Sequence, residues 1–218
     1  MDGLGTASLT AREAMVASQL RPAGVNLPPL LAAVLDVPRE RFVPPERAGV
    51  AYIDRPVELG GGRELNSPEV TGLLLNALVP QTGERALVVG AGTGWSAAVL
   101  ARMGLHVVAL EQDDDLLARL RQVLGGTNVQ FAAGPLVEGH EAGAPYNVIL
   151  IDGAVAFIPD ALVSQLAPGG RLAAVLAEEG ATRLVLGRRT GDAFGVQAFA
   201  DGTASFLPGF ARPRAFQF

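Results

Sequence analysis

Ala86-Leu87-Val88-Val89-Gly90-Ala91-Gly92-Thr93-Gly94-Trp95 is a short apolar run that breaks into alternating glycines. The run has the length and composition of a buried strand, and the glycines let the backbone turn sharply and come close to a ligand before a helix begins. A second apolar run, Val107 to Leu110, ends in Glu111. A carboxylate in that position can bond vicinal ribose hydroxyls in a nucleotide-binding β-turn-α unit. A dinucleotide site of the form G-x-G-x-x-G would need its third glycine at position 95, which is Trp95. The glycines at 90, 92 and 94 instead make G-x-G-x-G. Gly90, Ala91, Gly92, Thr93, Gly94, Glu111 and Gln112 are therefore the candidate cofactor-binding residues around this loop.

Apolar and helical stretches alternate on both sides of that unit. The pattern predicts strand 85–89, helix 95–103, strand 106–110, helix 114–124, strands 128–132 and 146–151, helix 158–166 and strand 170–175. Such alternation implies a doubly wound, mostly parallel sheet in a Rossmann-like α/β fold. Residues 182–189 and 194–200, joined by Thr190-Gly191-Asp192, read as a closing antiparallel hairpin. Upstream, residues 9–36 read as an N-terminal helical extension interrupted by Pro22-Ala23-Gly24 and Pro28-Pro29. Pro38, Pro44 and Pro45 predict an irregular path to the flexible Gly60-Gly61-Gly62. Ser67-Pro68-Glu69 then reads as a helix start, with serine as N-cap and proline in the first turn.

Composition removes several chemistries. The chain of 218 residues is 49% hydrophobic, enough for one large core. It has no cysteine, which excludes disulfides, thiolate zinc sites and a cysteine nucleophile. It has no lysine either, so its 17 basic residues are all arginine, and Schiff-base chemistry and a P-loop lysine are excluded. The formal charge is −5 and no basic run exceeds Arg188-Arg189, so no nucleic-acid partner is expected. No apolar run reaches the roughly 18 to 20 residues of a membrane span, and no signal segment is legible, so the expectation is a cytoplasmic protein without a membrane partner. His106 and His140 lack a spaced carboxylate partner, so no metal is expected. The aromatic end, from Phe206 to Phe218, reads as a tail packed on the domain or a partner surface.

Four further blocks resemble one family. They are Met15-Val16 with Gln19-Leu20-Arg21 and Gly24-Val25, then Val37-Pro38-Arg39-Glu40-Arg41-Phe42-Val43-Pro44, then Ala51-Tyr52 with Asp54, and Leu162 to Leu172 with Pro168-Gly169-Gly170-Arg171-Leu172. Together with the glycine loop, from about residue 10 to about 176, they resemble the protein-L-isoaspartate O-methyltransferases. The resemblance implies a class I methyltransferase fold, S-adenosylmethionine as cofactor, and methyl transfer to the misplaced carboxylate of isoaspartyl residues in a protein or peptide. It also implies a division into residues 1–66, the helical extension with a substrate-side loop, and residues 67–218, the cofactor-binding methyltransferase domain.

Three positions depart from the family pattern. Glu64-Leu65-Asn66-Ser67-Pro68 stands where the family resembles Thr-Ile-Ser-x-Pro, Val88 replaces an acid, and Gly134-Pro135 replaces the Gly-Asp that holds the adenine. Asn66 and Ser67 are the catalytic candidates, as donors to the acceptor carboxylate or as groups that orient the cofactor; Ser67 also reads as a plain helix cap. Asp152, after the run Ile149-Leu150-Ile151, is a candidate for the end of a strand facing cofactor or substrate, or alternatively a loop cap. The departures leave two other readings open, a binding module that has lost catalysis and a methyltransferase for a small molecule. Asp113, Asp114 and Asp115 read as a negative first helix turn and Trp95 as packing.

Overall fold

A computed structural model describes residues 3–178 and 180–211. The apolar run at the head of the glycine loop is β3, Arg85–Val89, which pairs in parallel with β4, His106–Glu111, and with β6, Tyr146–Val155. It lies inside a seven-stranded sheet of order β5-β4-β3-β6-β7-β8-β9, where β5 is Gln130–Ala133, β7 Leu166–Glu178, β8 Ala181–Thr190 and β9 Ala193–Asp201. β8 and β9 run antiparallel to their neighbours, which is the closing hairpin expected from the sequence.

Successive residues of a strand face opposite sides. Val88, Ala109 and Leu150 thus enter one hydrophobic cluster, and Leu87, Leu110 and Ile149 another on the opposite face. Both faces are covered, which is why these strands read as continuous apolar runs. Val88, at the position of the family's acid, is fully buried in the first cluster.

That first cluster also takes in the N-terminal extension. The extension consists of α1, Gly3–Met15, a π-helical turn Val16–Leu20 and α2, Pro28–Asp36, broken where the sequence interrupts the helical pattern: Gly24, at φ 99°, turns the chain and Pro28 and Pro29 start a new helix. Leu20, Val25 and Leu30 pack with Leu74, Leu75 and Leu78 of α3, Pro68–Leu78. A side chain at Gly72 of α3 would lie 2.9 Å from Leu20, so the glycine permits this close approach.

Three sequence expectations change. Residues 57–65 form an antiparallel hairpin of β1, Val57–Gly60, and β2, Arg63–Leu65, where a flexible stretch was expected; Gly60, Gly61 and Gly62, all at positive φ, are its turn. Helix 158–166 shrinks to α6, Asp160–Ser164, because the carbonyl of Gln165 already accepts from Tyr146 N at 2.8 Å. β7 is longer than 170–175, because Pro168-Gly169-Gly170 is absorbed as an irregularity between the Tyr146–Leu166 and Val148–Arg171 pairs. After β9 the chain returns across the sheet: Phe206 bridges Ala154, and Leu207 and Phe210 are buried while Phe206 is exposed. Phe216 and Phe218 lie outside the described residues. Among the described residues no helix is long and apolar enough to cross a membrane.

Candidate active site

The order of the sheet reverses beside β3, and ligands of open α/β sheets bind outside the carboxyl ends of the strands at such a point. Register brings the relevant residues to one level there. Val89 pairs with both Leu110 and Ile151, so Gly90, Glu111 and Asp152 are the next residues of three adjacent strands. Glu111 in turn pairs with Ala133, which sets Gly134 and Pro135 at the same edge.

Gly90, Gly92 and Gly94 all hold positive φ, at 72°, 57° and 98°. The amides of Gly90 and Ala91 both donate to Leu110 O at 3.0 Å, which folds the loop over the end of β4. A side chain on Gly90 would meet Leu207 at 2.8 Å, and one on Gly92 would meet Leu59 at 3.2 Å. Gly94 is different, since its missing side chain makes room for Leu120 and Leu124 of α5, Asp114–Leu124. Thr93 turns away from the loop and donates to Phe42 O at 2.5 Å, tying the extension to the site.

Glu111 is wholly buried. Its carboxylate accepts from the amides of Gly92, Gln112 and Asp113 at 2.8, 2.9 and 3.1 Å. It also pairs bidentately with Arg63, whose Nη1 and Nη2 donate to Oε1 and Oε2 at 2.9 and 3.1 Å. Alternation along the hairpin explains the reach, because Arg63 and Leu65 are the inward residues of β2. Gln112 is exposed at the rim, and its side-chain oxygen accepts from Leu136 N at 3.3 Å, beside Pro135.

On the other side of β3, Asp152 accepts from Asn66 Nδ2 at 2.8 Å and from Ser96 Oγ at 2.6 Å. Burial pushes its carboxyl above the usual range, against the bonds from Ser96 and Asn66 and the charges of Arg39 and Arg63. Arg39 is fully buried and stacks 4.5 Å from the centre of the Trp95 ring. It donates to Ala51 O at 2.7 Å and to Asn66 O, which fixes the backbone of the residue that holds Asp152. Burial lowers the Arg39 guanidinium to about 9, with Asp152 opposing, so it stays charged at pH 7. Ser67 caps α3, accepting from Val70 N at 3.3 Å. Buried atoms Asn66 Oδ1, Arg39 Nη1 and Trp95 Nε1 have no hydrogen-bond partner among the described residues.

The structure thus brings together Asn66, Ser67, Gly90, Ala91, Gly92, Glu111 and Asp152, leaves Gln112 at the rim, and turns Thr93 and Gly94 to packing. Sequence reasoning missed the roles of Arg63, Ser96 and Arg39. Arg63 directly follows the three glycines, but its partner lies 48 residues away on another strand, and no local pattern announces such a pair.

A family model described as protein-L-isoaspartate(D-aspartate) O-methyltransferase (PCMT) matches residues 11–208. The protein-L-isoaspartate O-methyltransferase of Methylorubrum extorquens is similar at 41% identity over 201 residues, covering 91% of this chain and 87% of the relative. That of Methanospirillum hungatei is 34% identical over 203 residues, covering 92% and 93%. A solved protein-L-isoaspartate O-methyltransferase superposes with a TM-score of 0.80 at 24% identity, covering 91% of this chain and 66% of that one. A Plasmodium falciparum structure in the same class, solved with S-adenosyl-L-homocysteine, gives 0.76 at 20% identity, covering 90% and 96%. The structural likenesses carry the fold and the sequence matches carry the kinship: the chain belongs to the protein-L-isoaspartate O-methyltransferase family.

Proposed function

We propose that this protein transfers a methyl group from S-adenosylmethionine to the misplaced carboxylate of L-isoaspartyl residues in proteins or peptides, a repair reaction. The observation that carries the reading is Glu111: a buried carboxylate held by three backbone amides at the end of β4, level with a glycine loop of positive φ. This donor and acceptor set fits an adenosyl group. Glu111 is a charged acceptor suited to vicinal ribose hydroxyls, and Gly92, whose amide donates to it, adds no side chain over the loop. Asn66 Oδ1 and Trp95 Nε1 are buried polar atoms still able to bond a ligand.

When bound, S-adenosylmethionine supplies an electrophilic methyl on a cationic sulfur. A carboxylate acceptor is ionised at pH 7, so the chain need not remove a proton. Its residues supply alignment and a dry pocket instead. Gly90, Ala91 and Gly92 shape the cofactor loop, and Gln112 lines the adenine side, where Pro135 has no side-chain acceptor. Asp152 sets a negative charge toward the sulfonium. Asn66, with Ser67, orients the acceptor, and residues 1–66 form the substrate side of the site. Cytoplasmic action goes with this reading.

The test is calorimetric titration with S-adenosylmethionine, followed by radiolabelled methyl transfer to an isoaspartyl peptide against its aspartyl control. Transfer confined to the isoaspartyl peptide is the expected result. Binding without transfer would move the protein to a different acceptor or to a module without catalysis.

A further inference from the structure

The carboxylate that would hold the ribose already holds a guanidinium. Oε1 of Glu111 accepts from Arg63 Nη1 and the amides of Gln112 and Asp113, and Oε2 from Arg63 Nη2 and the amide of Gly92. Those donors saturate the roughly four lone-pair sites of a carboxylate. Vicinal hydroxyls are two donors side by side, as are the two N–H groups of the guanidinium fork, so one pair can enter only as the other leaves. Arg63 Nη2 also donates to Gly90 O at 3.2 Å, so the same side chain spans the mouth of the glycine loop.

Glu64, the next residue of β2, bonds Ser205 of the returning C-terminal segment, so the hairpin is clasped from both sides of the crevice. Its turn has three consecutive glycines at φ 99°, 60° and 73°. The rest of the hairpin is anchored, since Arg119 donates to Leu59 O at 2.7 Å and Val57, Leu59 and Leu65 are buried in the core, which leaves the Arg63 side chain as the part free to move.

We propose that Arg63 is an internal plug of the ribose site, displaced by the cofactor as its guanidinium swings off the Glu111 carboxylate. The proposal rests on the cofactor assignment for Glu111. The exchange balances its hydrogen bonds: Glu111 keeps three amide donors and gains two hydroxyls, and the guanidinium moves toward water. The plug lowers apparent cofactor affinity by the fraction of molecules in which it is open.

The test compares wild type, Arg63→Gln and Arg63→Lys by calorimetric titration with S-adenosylhomocysteine and by thermal denaturation without ligand. Arg63→Gln removes the cation and should bind at least about tenfold more tightly, the factor expected if about a tenth of the wild type is open. Its unliganded midpoint should fall, because Glu111 loses its cation. Arg63→Lys keeps a point charge without the fork, so it should lie between the two in affinity and serves as the measure if the glutamine variant does not fold. Equal or weaker binding by the folded variants would overturn the plug and leave the cofactor assignment standing. Absence of binding in all three proteins would overturn the assignment, and the plug with it.

Discussion

Glu111 and Asp152 are carboxylates at the same level of adjacent strand pairs, yet their surroundings differ. Glu111 has a bidentate cation and three amides, while Asp152 has two neutral side-chain donors and feels its arginines only at a distance. Replacing Glu111 with glutamine leaves Arg63 buried without its counter-charge. The expected cost is about 3–5 kcal/mol of stability, read by chemical denaturation, since breaking one side of a buried pair strands the other. Asp152 behaves oppositely. Its carboxyl is raised by burial, so the folded state holds the proton more tightly than the unfolded chain. Its contribution therefore improves as pH falls through the raised value toward the ordinary aspartate range, and at neutral pH the charge opposes folding. Asp152→Asn should raise the denaturation midpoint at pH 7 and flatten its dependence between the ordinary and the raised value. An unchanged pH profile would show that Asp152 does not carry that burden.

Element ends explain which polar residues start the helices. Ser67 begins α3 and its oxygen accepts from Val70 N, while Asp113 begins α5 and accepts from Leu116 N at 2.9 Å with Asp114 and Asp115 in the first turn. Both helices start where a short side-chain acceptor meets free amides, and acids favour the positive end of the helix dipole. Ser67→Ala should cost about 1 kcal/mol in denaturant unfolding. Cofactor affinity should stay within about twofold, because a lost cap frays the first turn without moving the glycine loop. A larger loss of affinity at unchanged stability would make Ser67 a ligand residue. The glycine loop divides in the same way: Gly92 donates its amide to Glu111, whereas Gly94 makes room for α5.

Across the whole molecule, the segment after β9 closes the crevice over the strand ends. Leu207 is buried against Gly90 and Gly153, and Leu207 N donates to Ala154 O at 2.9 Å. Leu207→Ala should destabilise the fold by about 2–5 kcal/mol, the range for a buried leucine that leaves a cavity, and thermal denaturation is the measure. A smaller cost would mean that the segment is not integral to the core. The alternation of apolar runs, the capping residues, the closing hairpin and the loop Gly90 to Gly94 were all legible in the sequence, because strand burial, helix starts and positive φ are imposed by residues close along the chain. The hairpin 57–65 was not, since its strands are short and its glycines read equally well as a flexible turn. Glu111 was legible as an acid at a strand end; that Arg63 already grips it, that Asn66 holds Asp152, and that Arg39 stacks on Trp95 were decided only by tertiary structure. Such pairs depend on which distant side chains share a buried space, where charge and hydrogen bonds must be matched, and nothing in the local sequence encodes that choice.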